Sequence, residues 1–226
     1  MLSEELLAYM KASGVNEVTL APEVGSDTLR AALGKRVSGE AILEDVASLV
    51  RSGIRDIKLY LMVGLPGERQ DDLEAAVDLV KRIRQTFIQV SRGNRRIGRV
   101  SVSINAMVPK PHTQYEREAM PDPGEAKKRI RKIVKGLKSQ SNVTVSFEGP
   151  KWAYIQALIA RGDRRVLDVL LEMAASDQSR WQDVLKRWPR NPDYYALRRH
   201  DPDETLPWSF YSMPGSAPCG SGGGEA

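Results

Sequence analysis

Cysteine and histidine are nearly absent from this 226-residue chain, which limits the metal chemistry it can support. The one cysteine, Cys219, sits in the Gly/Ser-rich stretch 215–224. A single thiol can form neither an intrachain disulfide nor a cysteine-based metal site. The two histidines, His112 and His200, are far apart in the sequence, so a histidine-based site is not expected either. We therefore expect no metal ligands within this chain.

Long apolar runs are missing as well. No run approaches the roughly 20 apolar residues that a membrane-spanning helix needs. The first five residues, Met1-Leu2-Ser3-Glu4-Glu5, have neither the basic nor the apolar stretch of a signal peptide. We expect a cytoplasmic protein with no membrane partner. Its apolar content of 41% is sufficient for a hydrophobic core.

A strong excess of one charge sign is also missing. The formal net charge of +5 and the pI near 9.3 permit a polyanionic partner such as RNA. Most basic residues, however, lie in predicted helices that also carry acids, which is typical of solvated helix faces. Two basic stretches, 92–99 and 127–138, keep one alternative open. That alternative is a non-catalytic RNA-binding or protein-interaction module.

What the chain does have is four strand-like runs about 40 residues apart, each stopping at a cluster of Gly, Pro and polar residues. Helix-containing segments separate the runs, so the strands are expected to be parallel, with their C-terminal ends on one edge. This is the pattern of a βα-repeat enzyme. The predicted strands are Glu17–Pro22, Ile57–Gly64, Val100–Val108 and Val143–Phe147.

Beyond Pro150 the sequence predicts helices and no further strand, and the last residues have too little apolar surface to order themselves. The predicted fold class is α/β, a partial TIM-like (βα) barrel with about four parallel strands, flanking helices and a C-terminal helical extension. The predicted domains are the partial barrel at 1–150, the helical extension at 151–211 and a disordered tail at 212–226.

Polar residues at the strand ends are the candidate ligand contacts. Each has a structural alternative, because Glu23 and Glu148 can cap helices and His112 can be an ordinary loop residue. A purely structural barrel does not need polar residues at every strand exit, which favours a binding edge. The residues expected to converge there are Glu23, Glu68, Lys110, His112 and Glu148.

The segment Gly64-Leu65-Pro66-Gly67-Glu68 is not a phosphate loop. It lacks both the Lys-Ser/Thr of a Walker motif and the three-glycine spacing of a dinucleotide fingerprint. We expect it to offer an apolar strand end and exposed backbone groups, which suit a flat heteroaromatic ring. Lys35-Arg36 offers positive charge that can hold a carboxylate. A ligand that combines adenine with an amino acid would use both.

These segments, in this order, resemble the later strands of the radical S-adenosylmethionine (radical SAM) superfamily. The resemblance covers roughly residues 3–208, and the most similar subgroup has large proteins whose core often follows a cobalamin-binding-like domain. The motifs that carry it are Thr19-Leu20-Ala21-Pro22-Glu23-Val24-Gly25-Ser26-Asp27, Lys35, Lys58-Leu59-Tyr60-Leu61-Met62-Val63-Gly64-Leu65-Pro66-Gly67-Glu68, Val108-Pro109-Lys110-Pro111-His112-Thr113, and the segments 148–152, 157–165 and 201–208.

The resemblance implies a partial (βα)6 barrel and radical chemistry. In the family, a Cys-x3-Cys-x2-Cys motif after the first strand holds a [4Fe–4S] cluster, which cleaves SAM to a 5′-deoxyadenosyl radical that abstracts hydrogen from a substrate. A reductant such as flavodoxin or ferredoxin serves the complete enzyme, and the full-length family admits cobalamin as a further cofactor.

The resemblance also implies site residues. Glu23 and Lys35 match positions that hold the ribose and amino-acid portion of SAM, and Ser26 belongs to the same cofactor-binding set. The match continues with Gly64, Leu65 and Pro66 near adenine, and with Asn105 to Val108 as the adenine-side wall. Of the polar residues at the strand ends, Lys110, His112 and Glu148 are the predicted substrate-binding residues.

The sequence departs from the family pattern at one point that determines whether we expect catalytic activity. It has no Cys-x3-Cys-x2-Cys motif. We expect the chain to start just before the fourth barrel strand and to be the C-terminal half of the core, inactive alone. A complementary N-terminal half, in another chain or a missing segment, would supply the cluster. A further alternative is a barrel fragment with an open sheet edge, prone to aggregate or to pair with its missing half.

Overall fold

A computed structural model describes residues 2–92, 98–176 and 181–211. It divides the chain into two compact units. Unit 1 comprises residues 1–107 and 121–153, and unit 2 comprises residues 108–120 and 154–226. Most of the basic stretch 92–99, Cys219 and the predicted tail at 212–226 lie outside the described residues. The predicted domain boundaries stay predictions.

Unit 1 is built on one parallel sheet with the strand order β1-β2-β3-β4. This sheet and its flanking helices confirm the predicted α/β class with four parallel strands, and they are compatible with a partial TIM-like barrel. The predicted strand bounds differ from the observed ones by no more than two residues. The strands are β1 (Glu17–Glu23), β2 (Asp56–Val63), β3 (Arg99–Ala106) and β4 (Val143–Phe147).

Helices follow the strands and begin at side-chain caps. Ser26 caps α2, Ser38 caps α3 and Asp122 caps α5, each accepting a hydrogen bond from a first-turn N–H. The helices at the start of the chain and between strands are α1 (Glu4–Ala12), α2 (Asp27–Ala32), α3 (Gly39–Arg51), α4 (Gln70–Val90) and α5 (Pro123–Leu137). The later helices are α6 (Pro150–Arg161), α7 (Val166–Ala175), α8 (Trp181–Arg187) and α9 (Pro192–Ala196).

The core of unit 1 lies between one face of the sheet and helices α3, α4 and α5. Alternate residues of β2 and β3, such as Leu59 and Val102, are almost fully buried there. Helix residues at 3.6-residue spacing, including Val80, Ile83 and Ile130, complete the core. Burial of this apolar surface is the main stabilising contribution to the unit.

The opposite face of the sheet is polar and only partly buried. In register across β2 and β3, Lys58 pairs with Ser101, Tyr60 with Ser103 and Met62 with Asn105. The alternation expected for the third strand is therefore confirmed, since its serine and asparagine side chains share this face while its aliphatic neighbours are buried.

Unit 2 is helical and includes the segment 108–120. The domain prediction had placed that segment in the partial barrel and not with the C-terminal residues. Backbone bonds tie that segment to the later chain: the His200 N–H donates to the Arg117 carbonyl at 2.8 Å, and the Met120 N–H to the Leu197 carbonyl at 3.2 Å. Across the described part of the chain, no helix has both the length and the apolar composition needed to cross a membrane.

Candidate functional site

The end of β1 brings Glu23 and Lys35 together. The strand pairing shifts between Leu20 and Glu23, and Glu23 adopts a positive φ of 65°. Lys35 Nζ donates to Glu23 Oε1 at 2.9 Å and to the Ala21 carbonyl at 2.8 Å. The pair remains accessible, with side-chain exposures of 23% for Glu23 and 39% for Lys35. Among the described residues Glu23 Oε2 has no recorded partner, so it can accept a hydrogen bond from a ligand.

Arg30 holds the loop that presents this pair. Its side chain is 1% exposed. Nη2 donates to the carbonyls of Val24 and Gly25 at 2.9 and 3.1 Å, while Nη1 donates to Asp27 Oδ1 at 2.5 Å. The structural role of Arg30 was not predicted, because the sequence alone does not distinguish a buried arginine in a short helix from a solvent-exposed one. Five donors in a fixed fork explain why arginine suits the position.

Gly25 and Ser26 have structural roles in the same loop. A Cβ on Gly25 would lie 1.9 Å from the Ala76 backbone nitrogen, so glycine is needed where the loop passes α4. The Ser26 hydroxyl accepts from the Leu29 N–H and donates to Asp72 Oδ1 at 2.5 Å. These contacts account for Ser26 as a helix cap and an α2–α4 link, and its predicted cofactor role stays a prediction.

The Gly64–Glu68 loop follows β2 and is stabilised by a hydrogen bond between its own first and last residues. Gly64 adopts a φ of +86°, and a Cβ there would lie 2.3 Å from Pro121 Cγ. Its N–H donates to Glu68 Oε2 at 2.8 Å. The expectation of an exposed backbone is therefore wrong at Gly64, which is buried with its N–H already bonded. Leu65 is also buried, while Pro66 is partly exposed.

Glu68 is a buried carboxylate that links this loop to α5. Its side chain is 2% exposed and pairs with Arg129 Nη1. Burial raises the pKa of Glu68 above its ordinary value, against the opposing effect of hydrogen bonds from Gly64 and Arg129. The side chain faces inward to its own loop. The expectation that Glu68 is a ligand contact therefore has a structural alternative.

Several predicted ligand contacts of unit 1 lie at the C-terminal edge of the sheet. Glu23 is in register with Leu61, and Met62 with Asn105, which is partly exposed. Glu148 follows β4 directly and is exposed. Five predicted contacts thus sit along one edge, as parallel strands require: Glu23, Lys35, Gly64, Asn105 and Glu148. Their binding roles stay predictions.

Val108, Lys110 and His112 belong to unit 2. His112 adopts a φ of 58°, and its N–H donates to Glu116 Oε2 at 2.8 Å. Lys110 is exposed, and its carbonyl accepts from Thr113 Oγ1. The convergence of these residues with the edge of unit 1 stays a prediction.

Sequence reasoning also missed a buried polar cluster in unit 2. Arg161 is 1% exposed and donates to the carbonyls of Ala196 and Arg198 at 2.8 and 2.6 Å. His200 is 4% exposed, and neither ring nitrogen makes a hydrogen bond of good geometry within the described chain. Its Nδ1 lies 3.2 Å from Glu204 Oε2. Burial, followed by the nearby Arg161 charge, lowers the pKa of His200.

The two cofactors that the resemblance implies fit this chain differently. The free oxygen of Glu23 and the Lys35 ammonium match the hydroxyl and carboxylate groups of SAM in chemical type. A [4Fe–4S] cluster does not fit, since it is held by cysteine thiolates and the sequence has one cysteine. Within residues 2–92, 98–176 and 181–211, no group of three or more His, Cys, Asp or Glu residues is placed to hold a metal ion.

A parallel four-stranded sheet with helical crossovers defines a βα-repeat protein of the α/β class. Within that class, residues 1–80 match the family model described as the Radical SAM superfamily. Over residues 1–80, the match confirms the resemblance drawn from the motifs. As a family, these proteins use SAM and a [4Fe–4S] cluster.

The chain is also similar to an uncharacterized protein of Methanocaldococcus jannaschii. The two are 32% identical over 165 residues, which is 73% of this chain and 34% of the relative. The chain thus spans about a third of the length of the archaeal protein.

Proposed function

We propose that this chain is the C-terminal half of a radical SAM core, supplying the SAM-binding wall and part of the substrate pocket. The observation that carries the proposal is the accessible Glu23–Lys35 pair on the same sheet edge as Gly64 and Asn105. Glu23, Lys35 and Gly64 lie within residues 1–80, which match the family model. In this family, bound SAM supplies radical chemistry. The residues of this chain would orient it.

The proposal assigns the cluster to a complementary N-terminal half. The donor set of this chain does not fit a cluster, and the archaeal relative is about three times longer than the part this chain matches. Lys110, His112 and Glu148 are the proposed substrate contacts. A flavodoxin or ferredoxin reductant, and cobalamin in the full-length protein, belong to the same proposal.

Titration of the chain with SAM by calorimetry tests the SAM-binding wall. We expect measurable binding that weakens about tenfold in Glu23→Gln, because a neutral amide is a poorer hydrogen-bond partner than a carboxylate. Glu17→Gln is the matched control, since Glu17 is exposed at the opposite end of the same strand. No SAM binding, or equal affinity in the wild type and both variants, would contradict the assignment.

One observation favours RNA binding as a second candidate function. Helix α5 and its C-cap residue present four exposed cations, Lys127, Arg131, Lys135 and Lys138, none with an ion-pair partner in the described part of the chain. Their spacings of four, four and three residues place them on one helix face. Other cations of α5 are already paired, as Lys132 is with Glu74. A continuous row of free cations suits a phosphate backbone.

Fluorescence anisotropy with a labelled single-stranded RNA at several salt concentrations tests this candidate. Replacing the four α5 cations with glutamine should weaken binding and flatten its salt dependence. The control replaces four exposed cations outside α5, Lys11, Arg36, Arg51 and Lys81, which gives the same net charge. If both quadruple variants lose affinity equally, binding follows net charge and not the α5 row.

A further inference from the structure

A cleft in unit 2 carries an unassigned cluster of arginines. It has a volume of about 860 Å³ and lies where α6 passes into α7. Its lining includes Asp163, Arg164, Arg165, Arg190, Pro207 and Phe210. We call it the arginine cleft. No residue of the proposed SAM site is part of it.

The charges in the arginine cleft are unbalanced. Asp163 forms a salt bridge with Arg165. The Arg165 Nε lies 2.9 Å from Asp163 Oδ1 and 2.8 Å from Asp163 Oδ2. The hydrogen bonds from Arg165 lower the pKa of Asp163, so this pair stays ionised and mutually neutralised. Arg164 and Arg190 are both exposed, and no carboxylate is paired with either within the described ranges. The lining therefore carries three guanidinium groups and one carboxylate, a net charge of +2, and Arg190 lies close enough to Asp163 to help lower the pKa of that carboxyl.

An aromatic ring stands beside these cations. Phe210 is 90% exposed, the highest value among the exposed large apolar residues of the described chain. Pro207 adds a second apolar surface to the lining. A bare phenyl ring next to free guanidinium groups provides a stacking platform near an anion site.

The backbone that carries Arg164 and Arg165 is held in place. Arg161, at the end of α6, is buried and donates to the carbonyls of Ala196 and Arg198. The next residue, Gly162, is closely packed: a Cβ there would lie 2.3 Å from Val166 Cγ2 and 2.5 Å from the Leu158 carbonyl oxygen. The turn from α6 to α7 is thus fixed on both sides, which lowers the entropic cost of binding a ligand.

We propose that the arginine cleft binds a nucleotide, with its phosphate held by Arg164 and Arg190 and its base against Phe210. Guanidinium groups match phosphate oxygens in a bidentate geometry. The exposed ring distinguishes this ligand from inorganic phosphate, which would leave Phe210 unused. The nucleotide is either a free mononucleotide or one residue of a single-stranded RNA, because both present the same phosphate and base.

Binding measurements on the full chain with three probes test the proposal: adenosine 5′-monophosphate, inorganic phosphate and a short single-stranded RNA. We expect the double variant Arg164→Gln/Arg190→Gln to lose about tenfold or more in nucleotide affinity. Phe210→Ala should weaken nucleotide binding about tenfold and leave phosphate binding unchanged. Tight binding of the mononucleotide identifies a free nucleotide, whereas binding of the RNA alone identifies a nucleotide within a strand.

The double variant Lys11→Gln/Lys81→Gln is the matched control, because it removes the same charge from exposed positions of unit 1 and should leave mononucleotide affinity unchanged. Thermal melting checks that each variant is folded, as expected for exposed positions. Three outcomes would overturn the proposal: no binding of any nucleotide, equal binding of phosphate and nucleotide, or no effect of Phe210→Ala. None of these outcomes bears on the SAM-binding proposal, which concerns Glu23 and Lys35.

Discussion

Single buried arginines organise the loops of both units. Arg30 donates to the backbone of the loop that presents Glu23, and Arg161 donates to the backbone beside the arginine cleft. In each case a buried guanidinium donates to backbone carbonyl groups, which would lose these hydrogen bonds if the arginine were replaced. Glu23 and Arg164, which are proposed to meet ligands, are at least partly exposed, whereas Arg30 and Arg161 are buried.

We expect His200 to make the stability of unit 2 depend on pH. The buried ring is surrounded by Arg161, Arg198, Glu204 and Trp208. Its pKa is lowered in the folded state, so on acidification the unfolded chain binds a proton before the folded chain does. Stability should therefore fall as the pH drops below about 6.5, the ordinary value, by at most about 1.4 kcal/mol per pH unit.

Urea unfolding between about pH 7.5 and pH 5 measures this slope. Hydrogen bonds from Arg198 lower the pKa of Glu204 to about 2, so Glu204 stays ionised throughout this window. His200→Gln should reduce the slope, while His112→Gln, a change at the other and exposed histidine, should keep it. An unchanged slope in His200→Gln would show that His200 does not control it.

At the scale of helices and strands, local sequence was a good guide. The strands were predictable because aliphatic and polar residues alternate in β3, and because Val143–Phe147 is bounded by turn-forming residues. Helix starts at Ser26, Ser38 and Asp122 were visible from their capping side chains. These signals depend only on residues close in sequence, so strands and helix starts can be predicted without knowledge of the tertiary contacts.

Close contacts between elements were not predictable. Gly25 is required because α4 passes its backbone, and Gly64 because Pro121 packs on it, yet neither partner is near in sequence. The Glu68–Arg129 pair joins residues 61 positions apart. Part of the candidate edge could thus be predicted from strand ends, while its supporting contacts depend on how the elements pack.

Gly136 in α5 offers a test of this packing. A glycine inside a helix normally costs about 0.5–1 kcal/mol relative to alanine, so propensity alone predicts that Gly136→Ala stabilises the protein. In the structure, a Cβ at Gly136 would lie 2.8 and 2.9 Å from the two methyl groups of Val77 on α4. We expect Gly136→Ala to destabilise unit 1 by about 1–3 kcal/mol, because it overpacks the α4–α5 contact.

A double-mutant cycle separates the two effects. In a Val77→Ala background, which removes the methyl groups, Gly136→Ala should be neutral or stabilising. The free energy of unfolding of the four proteins is measured by urea denaturation. If Gly136→Ala stabilises the protein that retains Val77, helix propensity outweighs the contact and the packing argument fails.

At the scale of the whole molecule, the two faces of the sheet differ: one is covered by helices of unit 1, and the other carries mostly polar, partly buried side chains. Helices α3, α4 and α5 cover the aliphatic face, while Lys58, Tyr60 and Ser103 share a polar, partly buried face. A closed barrel core would be dominated by packed aliphatic side chains. The polar face instead supports the proposal that this chain contributes to a ligand pocket.

The final prediction concerns the iron–sulfur cluster, which the residues of this chain do not fit. Anaerobic reconstitution of the chain with iron and sulfide should yield no stoichiometric [4Fe–4S] cluster, because a cluster is held by cysteine thiolates and the sequence offers only Cys219. Iron and sulfide analysis with visible absorbance spectroscopy provides the measurement, and a radical SAM protein with the three-cysteine motif serves as the positive control. Cys219→Ser separates adventitious iron bound at this thiol from a true cluster. A stoichiometric cluster that persists in this variant would mean that ligands other than cysteine hold it, and the division of labour between two halves would then be wrong.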